Sequence, residues 1–166
     1  MSISPGEVKV KMNNRHMRRA IALSEANMHA NQGGPFGAVI VRGDRIIAEG
    51  CNRVTSNLDP TAHAEVEAIR AACKRLGQFQ LSGCHIYTSC EPCPMCLSAI
   101  YWARLDRIYY ANTRQDAADV GFDDDFLYRE IPRPPMERSI PAYRLLADEA
   151  RVAFDAWRNK GDKIRY

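Results

Sequence analysis

The stretch TSCEPCPMC, from Thr88 to Cys96, holds three of the chain's six cysteines: Cys90, Cys93 and Cys96. Three thiols are too many for one disulfide and one too few for a four-cysteine zinc site. Cys93 and Cys96 flank two residues at what reads as a helix start, with proline in the opening turn. There the positive end of the helix dipole favours thiolates. About 30 residues upstream, PTAHAE places His63 and Glu65 at the start of a second helix. One imidazole and two thiolates supply three zinc ligands and leave the fourth position for water, which distinguishes a catalytic site from a structural one. Zinc lowers the pKa of bound water to about 7. Glu65, placed beside that water and off the metal, can take its proton and pass it to a substrate.

Other readings use the same residues differently. A redox pair would employ Cys93 and Cys96 without His63 or Glu65. A closed structural site would need a fourth ligand, for which Cys90 is the candidate. Cys90 ends a strand three residues before Cys93 and reads better as a small buried residue. Cys51, Cys73 and Cys84 read as core residues, and His16, His29 and His85 as packing or surface groups.

The elements that must position these groups alternate. A helix spans about Asn13 to Asn31, and Gly33-Gly34-Pro35 stops it. FGAVIVRGDRIIAEGC reads as a hairpin turning at Gly43-Asp44. AHAEVEAIRAACKRLG is a helix ending at Gly77, CHIYTS a strand, PCPMCLSAIYWAR a helix and RIYYA a further strand. A helical stretch follows to about Val120, then GFDDDFLYREI and a break at PRPP. IPAYRLL reads as a last strand, and DEARVAFDAWRN as a last helix with Val152, Phe154 and Trp157 on its inner face. This pattern predicts a three-layer α/β/α fold with a central mixed sheet of about five strands. In open α/β sheets, helix starts gathered at one sheet edge form the ligand site.

With 166 residues the chain is one domain's worth, and its 46% hydrophobic, 26% charged composition fits a soluble globular protein. No apolar run approaches the roughly 18 residues a membrane span needs. The first residues lack the apolar segment of a signal peptide. A cytoplasmic location is therefore expected, where clustered cysteines mean metal or catalysis. Lys9, Lys11, Arg15, Arg18 and Arg19 form a basic cluster in a chain of net charge +3. With no RNA-binding motif beside it, the cluster reads as a solvated helix face, so neither a nucleic-acid nor a membrane partner is expected.

His63-Ala64-Glu65 followed by Pro92-Cys93-Pro94-Met95-Cys96 is the signature of zinc nucleobase deaminases. Each half alone is weak; the two in this order, both opening helices, are specific. GGPFGAVIV, DPTAHAEVEAIR, YTSCEPCPMCLSAIYWAR, GFDDDFLY and FDAWRNK resemble bacterial guanine deaminases of the cytidine-deaminase fold, from about Met12 to Tyr166. That resemblance implies a zinc-dependent hydrolysis of guanine to xanthine and ammonia, with one zinc per subunit on His63, Cys93 and Cys96. It implies Glu65 as proton shuttle, Asp124 as a second acid, and Asn52, Phe36, Ala64 and Trp102 as purine contacts. It also implies a homodimer that exchanges its C-terminal segment, about residues 140–166, bringing Tyr166 over the partner's site. Residues 1–11 would be an arm and residues 12–166 a single deaminase domain. Asp124 could equally cap a helix, Phe36 fill a core and Asn52 form a turn. A tRNA-adenosine deaminase and a non-catalytic zinc-binding module are the competing readings.

Overall fold

The computed structural model describes residues 14–122 and 124–165. The expected arm, Lys9, Lys11, Asp123 and Tyr166 lie outside them. Helix α1 (Asn14–His29) precedes the hairpin β1 (Gly37–Arg42) and β2 (Arg45–Cys51). Then come α2 (Val54–Asn57), α3 (Ala64–Leu76), β3 (Cys84–Cys90), α4 (Pro94–Trp102) and β4 (Arg107–Asn112). Short helices α5 (Arg114–Asp119) and α6 (Asp125–Glu130), a 3-10 turn at Pro135–Glu137 and α7 (Ala147–Asn159) complete the order.

The sheet runs β2-β1-β3-β4, with β1 antiparallel to both neighbours and β3 parallel to β4. The expected α/β class and mixed sheet are therefore present, with four strands among the described residues rather than five. Residues 140–146, read as a strand, pair with nothing in the sheet. Strand-forming residue types identify an extended segment but cannot supply a free sheet edge for it.

Strand β1 explains the continuous apolar run GAVIV. Its side chains alternate between two covered faces. Ala38 and Ile40 face the core with Ala64, Ala68, Ala72, Ile86 and Ile100, beneath α3 and α4. Val39 and Val41 join Tyr87 on the other face, with Met17 and Leu23 of α1 packed on them. Each large aliphatic side chain so buried stabilises the fold by about 1.5–3 kcal/mol. Gly77 ends α3 in the left-handed region (φ 63°), its N–H reaching the carbonyls of Cys73 and Lys74. Cys84 is fully buried and Cys73 packs against the same core. Arg19 of the basic cluster pairs with the Glu49 carboxylate at 2.6 and 2.8 Å on the surface.

Helix α7 differs from its sequence reading. Val152 and Phe154, expected on an inner face, are 69% and 76% exposed. Helical periodicity reveals that a face is apolar, not which chain covers it.

Candidate active site

Two helix starts build the centre of the site. His63 is the N-cap residue of α3 and Cys93 that of α4, with Pro94 opening α4. The DPTAH turn delivers the imidazole: the Asp59 carboxylate accepts the Thr61 N–H at 2.8 Å and the Thr61 hydroxyl at 2.7 Å. Gly50 fixes how closely α3 lies on the sheet. A Cβ there would stand 2.2 Å from the Ala64 carbonyl and 2.5 Å from the Ala68 nitrogen, so strand and helix touch backbone to backbone. Strand β3 ends at Cys90 and the chain turns directly into Cys93.

The outcome is a cluster of three ligand groups. His63 Nδ1 lies 3.6 Å from Cys93 Sγ and 3.5 Å from Cys96 Sγ, and the three ligand atoms lie within 4.8 Å of one another. The neighbouring Cys96 and His63 hold the Cys93 thiol down at about 4, while Cys93 and burial push Cys96 up. A divalent cation would take both sulfurs as thiolate ligands. Two soft sulfurs with one imidazole, on converging helix N-termini, suit zinc. Hydrogen bonding to Cys93 raises the His63 pKa against the opposing effect of burial.

Around this cluster lies a cavity of about 490 Å³ that reaches Glu65, Asn52, Phe36 and Asp124. Glu65 is buried, 6% exposed, and that burial raises its carboxyl pKa. The Asn52 side-chain oxygen accepts the N–H groups of Gly34 at 3.1 Å and Val54 at 3.3 Å. Its amide nitrogen is therefore the group left for the cavity. Phe36 meets Phe122 edge to face, ring centres 4.9 Å apart. Asp124 stands at the N-cap position of α6 without making a capping hydrogen bond, and its charge helps raise His63 and Cys90.

Cys90 lines the same cavity but stays outside the three-ligand cluster; burial holds its thiol up at about 11. That agrees with reading it as a small buried residue. Two expected purine contacts do not line this cavity in the single chain. Ala64 is fully buried in the core beneath the sheet. Trp102, 60% exposed, lines a separate groove with Trp157, Lys163 and Arg165. Trp102 ends α4, a helix length away from the ligands at its start. Sequence reasoning overlooked Phe122, Glu91, Arg114 and Asn27. The Glu91 carboxylate accepts the Arg114 N–H at 3.1 Å, and the Arg114 guanidinium lies 4.8 Å over Tyr128. Only Phe122 carried a local signal, as part of GFDD.

Residues 10–112 match the family described as the cytidine and deoxycytidylate deaminase zinc-binding region, and the chain belongs to that family. Within it, similarity runs almost end to end with the guanine deaminase of Bacillus subtilis (strain 168). The two are 56% identical over 150 residues, 90% of this chain and 96% of the relative. The X-ray structure of guanine deaminase from Bacillus subtilis superposes with a TM-score of 0.91 at 55% identity, covering 93% of this chain and 99% of that one. A tRNA-specific adenosine deaminase from Agrobacterium fabrum is 50% identical, but over 46% of this chain and 50% of its own length. Zinc is the family's metal, and His63, Cys93 and Cys96 are grouped to hold it.

Proposed function

We propose that this protein is a zinc-dependent guanine deaminase that hydrolyses guanine to xanthine and ammonia. The observation that carries the reading is the His63–Cys93–Cys96 cluster beside the buried Glu65, in a chain similar along nearly its whole length to a guanine deaminase. When bound, zinc supplies a water acidic enough to attack at neutral pH.

The chain's own groups do the rest. Water adds to C2 of guanine, giving a tetrahedral carbon that bears OH and NH2. Glu65 accepts the water's proton and delivers it to the ring nitrogen N3; a second transfer moves the C2–OH proton to the amine, the bond from C2 to the amine nitrogen breaks as C2=O forms, and ammonia leaves. A carboxyl whose pKa burial has raised is suited to giving the proton back. Asp124, on the cavity wall, serves as the second acid beside the departing amine. The Asn52 amide nitrogen donates to the purine, and Phe36 packs on its ring with Phe122 behind it. Phe36 and Phe122 give the cavity an aromatic wall, and Asn52, Glu65 and Asp124 supply the few polar groups that a free base needs for orientation and proton transfer.

The protein acts as a cytoplasmic homodimer on this reading. The C-terminal segment, about residues 140–166, reaches the partner and brings Tyr166 over its site. Supporting this, Tyr143, Leu145 and Leu146 are 69%, 80% and 70% exposed in the single chain. No helix among the described residues is long and apolar enough to cross a membrane.

Incubation with guanine, following xanthine and ammonia, tests the activity, and parallel incubation with tRNA tests the competing substrate. Xanthine formation supports the reading. Inosine in tRNA with no xanthine from guanine would overturn it.

A further inference from the structure

Asn27 lies on α1, outside the cavity and away from the zinc ligands, yet it is 4% exposed. Its side-chain nitrogen donates to the Asn52 carbonyl at 2.9 Å and to the Gly34 carbonyl at 3.1 Å. The Gly34 N–H in turn donates to the Asn52 side-chain oxygen at 3.1 Å. These three bonds close a circuit: helix amide to the Asn52 backbone, helix amide to the Gly34 backbone, and Gly34 back to the Asn52 side chain. Val54 adds a second N–H to the same side-chain oxygen at 3.3 Å.

Gly33 makes the circuit sterically possible. A Cβ on Gly33 would stand 2.1 Å from the Asn52 carbonyl oxygen and 2.8 Å from its side-chain oxygen, a position no side chain can share. The loop therefore lies directly against Asn52, pinned from behind by the helix. Asn27 is not an obvious choice for stability alone. Its own side-chain oxygen is buried with no hydrogen-bond partner among the described residues, a standing cost that a residue lacking that oxygen would avoid.

We propose that Asn27 is a positioning residue that locks the orientation of Asn52 and so makes a hydrogen-bond acceptor on the purine a requirement of the cavity. With both side-chain-oxygen lone pairs occupied by backbone N–H groups, the Asn52 amide cannot flip to accept a bond from ligand. It presents N–H to the cavity in every turnover. A purine offering a lone pair there, from a ring nitrogen or an exocyclic oxygen, is favoured. One lacking that acceptor leaves a buried donor unpaired, the kind of mismatch that discriminates most strongly between substrates. Without Asn27 the loop and the end of β2 lose their common anchor, Asn52 samples both amide orientations, and discrimination relaxes.

This role rests on the proposed activity on guanine. The test compares the wild type with Asn27→Ala and with Asn27→Gln, which keeps the amide one methylene out of register. Each is assayed on guanine and on 2-aminopurine and 7-deazaguanine, which lack the O6 and N7 acceptors respectively and keep the C2–N3 unit that reacts. Zinc content and thermal melting are measured on the same samples. In the wild type at least one analogue should lose about 100-fold or more in kcat/KM. Both variants should keep their zinc, show a KM for guanine raised about tenfold, and shrink that analogue's penalty at least tenfold. A fall in melting temperature with the analogue penalties and the KM unchanged would overturn the positioning role. A wild type that yields no xanthine would instead overturn the proposed function, so the two failures are distinct.

Discussion

His63 Nδ1 lies 3.5 Å from Cys96 Sγ although 33 positions of sequence separate the two residues. The contact exists because β1 joins the hairpin to β3, so that α3 and α4 begin at the same end of the sheet. Both ligand-bearing turns are thus anchored in the sheet and the helices packed on it.

Metal removal should therefore inactivate without unfolding. Treatment with a strong chelator should abolish turnover, and zinc should restore it, while the far-ultraviolet dichroism stays constant. The melting temperature should fall, because a ligand that binds only the folded state stabilises it by mass action. Cys93→Ser and Cys96→Ser should purify with little zinc, and Cys90→Ser with a full complement. Zinc loss from Cys90→Ser equal to that of the other two would place a fourth sulfur on the metal.

Glu65→Gln separates chemistry from metal binding. The side chain is buried beside the cluster but is not one of its three ligands. The variant should keep zinc and lose about 100- to 10,000-fold in kcat, the usual worth of a positioned proton shuttle. Asp124→Asn should cost less, because Glu65 can still carry protons to both nitrogens in turn. Equal losses in the two variants would argue that Asp124 carries an obligatory proton.

The ligand set was readable in the sequence because it is local: two short motifs, each at a helix start, whose spacing survives without any tertiary knowledge. The turn residues Gly43 and Gly77 were equally readable, since a backbone with φ of 58° or 63° narrows the choice of residue. The support behind the cavity was not. Asn27 is a helical asparagine between Ala26 and Met28, and its residue type suggests the surface. Its carbonyl partners at Gly34 and Asn52 become visible only when α1 crosses behind the hairpin. Trp102 belongs to a functional motif, but α4 carries it to the helix end opposite the ligands, where in the single chain it lines a separate groove.

Gly50→Ala tests the strand-to-helix approach. The added methyl would meet backbone atoms of α3 at 2.2 and 2.5 Å, and backbone cannot rotate away as a side chain can. Overpacking of this kind costs about 1–3 kcal/mol, and more where nothing relaxes. Urea denaturation should show that loss, accompanied by weaker zinc binding as His63 and Glu65 shift with α3. Gly161→Ala, with no atom within 4 Å of the new methyl, should leave both unchanged.

The C-terminal segment should hold two chains together. Val152, Phe154 and Leu145 expose 69%, 76% and 80% of their area in one chain, and burying each fully is worth about 1.5–3 kcal/mol. Light scattering should report a dimer. Deleting residues 140–166 should give a monomer that keeps zinc but turns over guanine at least tenfold more slowly, since zinc depends only on α3 and α4. A truncated chain with full turnover would show that the segment closes nothing.

His16 should contribute a distinct acid sensitivity. Only 1% of it is exposed, and it packs against Tyr87 with ring centres 5.4 Å apart. Burial and the nearby Arg15 lower its pKa below the ordinary 6.5, against a partly opposing pull from Asp44. The folded protein therefore keeps His16 neutral at a pH where the unfolded chain already protonates it. The unfolded state then binds more protons, so stability rises with pH across that window. The contribution is complete above 6.5 and is lost as pH falls from 6.5 through the depressed folded value. Metal loss at low pH also weakens the protein, but it affects the wild type and a His16 variant alike. His16→Phe, which keeps a flat ring against Tyr87, should thus lose less stability than the wild type between neutral pH and the acid side of that window. Urea midpoints at matched zinc occupancy measure the difference, and parallel declines in the two proteins would show that His16 does not titrate differently on folding.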